Sequence, residues 1–412
     1  METRDSADCV ENFHEEVSIN EENPEEIYTF NTSLLYHYTR VTINIVPTRN
    51  LSNSFKYEKC YRVLHIMLLI SAWSYTLYKI YKNTREIKVF LSSFDFLLEI
   101  MLNATNEMKF PVLQTIGYFL LKKHLSVLQT EIKNVLEMSK IRNNETTTHF
   151  HLKEIERKSN KRMMISLSGI LVLNIAVRVI PLGALLIQDW WKLHSNITVE
   201  TLQIFFDILS CVVAMPYLFY FIMLIQVQEL HLTIFFDIVE NENNSGQAIY
   251  ILKHYKALHQ SFVTLSKNNH TYIVYLVTFL ALSGSISIYV GIKDLLVLST
   301  AFNPKFPLNR LAVAEMAVML VYQILNTIIL YVWPLILTSR LSSKQKEIVP
   351  KMLLITEGIN QEEMSNVAFK IHILQTTSGT GYNFFGGPVT EWKTLFLAIL
   401  GPLFKIFISK FK

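Results

Sequence analysis

The chain has 412 residues, half of them hydrophobic and 12% aromatic, with only 12 glycines and 11 prolines. Apolar runs of ~20 residues recur along it, which fits an integral membrane protein and excludes an ordinary soluble domain. The formal net charge of +4 is too small to argue for nucleic acid, and three cysteines (Cys9, Cys60 and Cys211) make neither a disulfide framework nor a metal site.

Residues 1–55 open with an acidic stretch carrying Glu15, Glu16, Glu21, Glu22, Glu25 and Glu26, and read as a largely disordered segment. Their polarity is the reverse of a secretory leader, so the first apolar run, 61–81, is expected to act as an uncleaved membrane signal. A second run at 89–108 carries Asp95, Glu99 and Asn103, charged and polar groups that must face a bundle interior if this run spans. A long, polar, Lys- and Arg-rich stretch, 110–162, reads as helix. The third run is 163–190 and the fourth 202–226, joined by a short loop, WKLHSNITVE. An amphipathic helical stretch follows at 227–269, then runs at 272–296 and 311–337. Residues 338–381 are polar and helix-compatible, and the turn-rich SGTGYNFFGG breaks that helix before the final run, 393–411. The expected fold class is therefore all-α: a polytopic membrane protein with about seven spans, organised as residues 1–55 and a membrane domain at 56–412.

Charge sets the orientation. The second-to-third connection holds Lys122, Lys123, Lys133, Lys140, Arg142, Lys153, Arg157, Lys158, Lys161 and Arg162, and the sixth-to-seventh holds Arg340, Lys344, Lys346, Lys351 and Lys370. The third-to-fourth has only Lys192, and the fifth-to-sixth only Lys305 and Arg310. The positive-inside rule then puts the N-terminus and the long helical connections in the cytoplasm and the C-terminus outside. That is opposite to a G-protein-coupled receptor.

The final run has two faces. At ~100° per residue, Thr394, Ala398, Gly401, Lys405, Ser409 and Lys412 fall on one small, polar stripe. Such a stripe on a spanning helix faces protein or water, so it is either a packing face within one bundle or the lining of a pore shared by several copies.

Three segments resemble the insect gustatory receptors, a branch of the insect chemoreceptor superfamily. They are YNFFGGPVTEWKTLFLAILGPLFKIFISKF (382–411), LHQSFVTLSKNNHTYIVYLV (258–277) and VWPLILTSRLSSKQKEIVPKMLLI (332–355). The family's final span carries Thr-Tyr, five apolar residues and Gln-Phe; the matching positions here are Leu403 and Phe404, then 405–409, then Lys410 and Phe411. The resemblance implies a ligand-gated, non-selective cation channel in the plasma membrane of a sensory neuron. Four subunits, identical or related, would surround a pore lined by Thr394, Ala398, Gly401, Lys405 and Ser409, and each would bind a small-molecule tastant in a pocket open to the outside. The alternative is a non-conducting membrane protein of the same fold: a silent subunit, scaffold or carrier.

The outer halves of the spans supply the candidate ligand-binding residues: Arg178, Trp190, Asp207, Ser287, Tyr289, Glu315 and Tyr322. Aromatic faces with a few hydrogen-bonding groups suit a small polar or amphipathic ligand. Bland roles compete, since Trp190 falls where an interfacial aromatic belt belongs and Arg178 could neutralise Asp207 or Glu315. Lys405 has three open readings: it snorkels to the outer headgroups, it pairs within its subunit, or it forms a ring that repels cations. No catalytic constellation, cofactor motif or metal-ligand spacing is present in the sequence, and the expected surroundings are the lipid bilayer and sister subunits.

Overall fold

The computed structural model describes residues 54–87, 93–140, 145–188, 190–241, 248–284, 310–355, 361–378, 383–384 and 387–388. The acidic opening and the final helix 393–411 with its stripe lie outside the described residues. So do the domain boundary at 55–56 and much of the fifth run.

The described chain is helical apart from one minimal β pair. The helices are α1 (Ser54–Ile87), α2 (Ser93–Lys140), α3 (Glu145–Gln188), α4 (Trp190–Asn241), α5 (Ala248–Phe279), α6 (Arg310–Thr327), α7 (Trp333–Lys346), α8 (Ile348–Ile355) and α9 (Gln361–Ser378). A π-helical turn, Leu280–Gly284, extends α5, and a second, Ile328–Val332, joins α6 to α7 without a break. After α9, β1 (Asn383–Phe384) pairs antiparallel with β2 (Gly387–Pro388).

Length dictates the architecture. With 48 residues α2 is about 70 Å long, and α4 with 52 is longer, whereas a bilayer core is only ~30 Å thick. Each must therefore project well beyond the membrane. The sequence WKLHSNITVE, expected as a loop, is helical and forms the start of α4. It contains neither glycine nor proline, so nothing in it stops a helix. Among the described residues, two stretches, 204–239 and 320–351, are long and apolar enough to cross a membrane by composition alone.

The helices divide their faces as a bundle in lipid requires. On α1, Val63, Met67, Ile70 and Leu77 are exposed, while Ala72, Thr76 and Lys79 on the other face are buried. Exposed Met164, Ile165 and Val172 on α3, Val321 and Ile324 on α6, and Ile328 in the π-helical turn after it extend the outward apolar surface, which water would not tolerate over such an area. By contrast α4 is enclosed: from Cys211 to Ile225 nearly every side chain is buried, which is the pattern of a helix with neighbours all round. It packs along α2 and α3 and touches α5 and α7.

Close approach of α2 to α4 depends on Gly117. A Cβ added there would stand 2.0 Å from Cδ1 of Tyr217, whose side chain is fully buried. Nearby, Trp73 Nε1 donates to Thr115 Oγ1 at 3.0 Å, and that hydroxyl donates to the Pro111 carbonyl at 2.7 Å, tying α1 to α2.

At the far end of α2, on the side assigned to the cytoplasm, a second polar knot forms. His231 Nδ1 of α4 donates to Glu131 Oε1 at 2.7 Å, and the Ser261 hydroxyl of α5 donates to Oε2 of the same carboxylate. The Glu131 and His231 side chains are 1% and 3% exposed. Burial pushes the Glu131 carboxyl up, but the His231 ring, the Ser261 hydroxyl and the Asn134 amide outweigh it and hold the group below its usual range. Beyond it, Glu229 on α4 pairs with Lys344 and, at 3.2 Å, with Arg340 Nε of α7, while Gln375 Nε2 of α9 donates to the Gln345 carbonyl at 2.8 Å.

Two predictions follow from this packing. Gly117→Ala will destabilise the purified protein by about 1–3 kcal/mol, because the ring of Tyr217 has nowhere to retreat; an unchanged thermal midpoint would contradict the close approach. His231→Leu will cost up to about 3–5 kcal/mol at neutral pH by leaving a buried carboxylate without its ring partner. In the native protein the stability contributed by Glu131 is complete above the ordinary carboxylate range and is lost as pH falls through its depressed value. In the variant, protonation relieves the unpaired charge. The gap between the two proteins will therefore be widest near neutral pH and will shrink toward about pH 4, as thermal unfolding in detergent at several pH values will show.

Candidate functional site

A charged cluster lies inside the bundle near the outer ends of α1 and α4. The Lys79 ammonium of α1 stands 2.7 Å from Glu107 Oε2 of α2 and 3.1 Å from Asp207 Oδ2 of α4. The three side chains are 6%, 16% and 20% exposed, so the lysine is enclosed and the acids reach the surface on one side. The helix faces explain the meeting. Lys79 continues the buried Ala72 and Thr76 face of α1, and Glu107 precedes the buried Lys109, Phe110 and Leu113 on α2. An ionised group at membrane depth is tolerated only when paired within the bundle, and here one ammonium serves two carboxylates. Tyr75 lies beside them, stacked on Phe206 with ring centroids 5.1 Å apart and with the Lys79 ammonium 5.8 Å from its own centroid.

A second lysine adjoins the cluster. Lys109 is 3% exposed. Its ammonium lies 3.4 Å from the Tyr322 hydroxyl of α6, 4.9 Å from that ring's centroid and 5.2 Å from the Phe110 centroid. The backbone of Lys109 is fixed from another direction by Tyr275 of α5, whose hydroxyl donates to the Lys109 carbonyl at 3.0 Å. One turn along α6 from Tyr322, Asn326 is 4% exposed, and neither atom of its amide makes a hydrogen bond of normal length. Glu107, Asp207 and Lys79 all act electrostatically on Lys109, so the two lysines and two acids form a single group.

Of the residues expected to bind ligand, Asp207 and Tyr322 are brought into this neighbourhood, each beside a lysine. Asp207 is held by Lys79 at 3.1 Å. Arg178, Trp190 and Glu315 sit on α3, α4 and α6, with side chains outside the described ones. Ser287, Tyr289 and the stripe residues Thr394, Ala398, Gly401, Lys405 and Ser409 lie outside the described residues altogether. Sequence reasoning missed Lys79, Glu107 and Lys109. The signal was present: Lys79 falls within the first run, near its end, and an ionisable residue inside a span marks a functional position by default. Among the described residues no group of His, Cys, Asp and Glu could hold a metal ion.

Removing the central cation leaves two carboxylates facing each other in the bundle. Lys79→Met will therefore lower surface expression and destabilise the protein by about 3–5 kcal/mol, while the double variant Lys79→Met, Asp207→Asn recovers part of the loss. Surface biotinylation and thermal unfolding measure both, and a silent single variant would remove the cluster from the account.

No family model and no curated protein matches the chain by sequence. The fold does have solved counterparts. The insect olfactory receptor OR5 from Machilis hrabei superimposes with a TM-score of 0.53 at 12% identity, covering 91% of this chain and 94% of that one. The structure of that receptor in complex with eugenol gives a TM-score of 0.56 with the same identity and coverage. At this identity the likeness fixes architecture and leaves activity to be argued from the site. The chain has the all-α, polytopic membrane fold of an insect olfactory receptor.

Proposed function

We propose that the protein is a chemoreceptor of the insect gustatory type, a subunit of a ligand-gated, non-selective cation channel in the plasma membrane of a sensory neuron. The observation that carries this reading is the likeness to an insect olfactory receptor along almost the full length of both chains. The sequence resemblance at 258–277, 332–355 and 382–411 adds the gustatory assignment. Eugenol bound to the neighbouring receptor supports a small organic ligand here as well.

In this reading residues 56–412 form the membrane domain, and four copies surround one pore. The ligand sits among outward-facing residues that include Asp207 and Tyr322, with Arg178, Trp190, Ser287, Tyr289 and Glu315 as further contributors. Binding favours the open state only to the extent that the ligand holds it more tightly than the closed one. Thr394, Ala398, Gly401, Lys405 and Ser409 of the last helix line the pore.

Lys405 gives the second reading its force. Four ammoniums around a narrow axis repel cations, which would suit a silent subunit that conducts only beside related partners. Whole-cell recording of the protein, alone and with a related receptor, against a panel of small organic compounds tests the channel. A compound-evoked cation current supports it, and no current from a surface-expressed protein in either setting contradicts it. Lys405→Leu will increase that current several-fold if the ring charge opposes conduction; an unchanged current means the ammonium lies away from the axis.

A further inference from the structure

The polar group around Lys109 carries a statement about ligand class, one that rests on the receptor reading above. An ammonium has three N–H donors. Among the described residues the one hydrogen-bond acceptor at Lys109 Nζ is the Tyr322 hydroxyl at 3.4 Å, with two aromatic faces completing its surroundings. Both nearby carboxylates are taken by Lys79. Asn326, one turn further along α6, brings a buried amide that interacts with the Tyr322 hydroxyl but reaches no partner at normal hydrogen-bond length. Buried polar groups are almost always hydrogen-bonded, and exceptions call for an explanation.

Charge decides what can satisfy them. Lys79 and Lys109 balance Glu107 and Asp207. A bound carboxylate or amine would break that balance in a place where uncompensated charge is strongly disfavoured. A plain hydrocarbon would leave the ammonium and the amide unmatched. A neutral oxygen accepts from the ammonium, and when it is a hydroxyl it also donates to the amide oxygen.

We propose that Lys109, Tyr322 and Asn326 form the polar end of the ligand site and select uncharged molecules bearing a hydroxyl or carbonyl oxygen. Lys109 supplies the donor, Asn326 a donor and an acceptor, and Tyr322 holds the ammonium in place. The apolar remainder of the ligand lies against the aromatic rings.

The test uses purified full-length protein in detergent and reads thermal stabilisation, so it needs no current and is independent of whether the channel conducts. Benzyl, cyclohexylmethyl and octyl scaffolds are each presented as the alcohol, the carboxylate, the amine and the hydrocarbon. Alcohols are expected to bind about tenfold tighter than the matching hydrocarbons, with the charged forms weaker still. Asn326→Leu leaves the Tyr322 hydroxyl with its Lys109 partner, so the variant should fold, and it should lose the alcohol preference. Lys109→Met should lose it too. Stabilisation led by the charged forms, no stabilisation by any scaffold, or an alcohol preference intact in Asn326→Leu would each overturn the proposal. None of these outcomes would touch the channel reading, which the recordings decide.

Discussion

Lys79 stands between carboxylates from two other helices, and much of the bundle follows from where that ammonium has to be. A lone lysine at this depth is untenable in lipid, so α1 must turn its Ala72, Thr76 and Lys79 face toward α2 and α4. That rotation leaves Val63, Met67, Ile70 and Leu77 on the outside, where lipid is the suitable solvent. Apolar packing alone would not choose this rotation, because lipid tails compete with apolar side chains on equal terms. The charges supply the direction that greasiness cannot.

The same logic recurs at the other end of α2 and α4. Glu107 to Glu131 on α2 and Asp207 to His231 on α4 are both separations of 24 residues. At ~1.5 Å per residue the two polar ties are about 36 Å apart on each helix, more than a bilayer core. Two parallel helices with ties at equal spacing cannot slide past one another without breaking both. Gly117 against Tyr217 lies between them and removes the remaining freedom by close approach. The helices that hold the charged cluster therefore also hold the Glu131 knot, and a shift at one end has a rigid path to the other. The π-helical turns at Leu280–Gly284 and Ile328–Val332 break this regularity on α5 and α6, beside Tyr275 and Asn326. Such turns are the places where a long helix can change register.

Much of the architecture was legible because membrane spans obey a length rule. The apolar runs at 61–81, 202–226 and 311–337 and the described residues of 163–190 fall on helices, and a helix ends at Ser378, where SGTGYNFFGG begins. Connections were harder. WKLHSNITVE is polar enough to pass for a loop, yet a polar helix costs nothing once it leaves the membrane. The charged cluster was half visible. Asp207 and Tyr322 stood out as polar groups on apolar helices, whereas Lys79 and Glu107 sit near the ends of the first and second runs and Lys109 just past the second. Their meaning depends on which faces meet in space, and one sequence does not say that.

The most direct test of the account is a single-particle image of the purified full-length protein in lipid nanodiscs. It predicts four copies around one axis, with Gly401 and Lys405 turned toward that axis and the Lys79 cluster inside each subunit. A solitary subunit, or a last helix that turns Gly401 and Lys405 to the lipid, would contradict it.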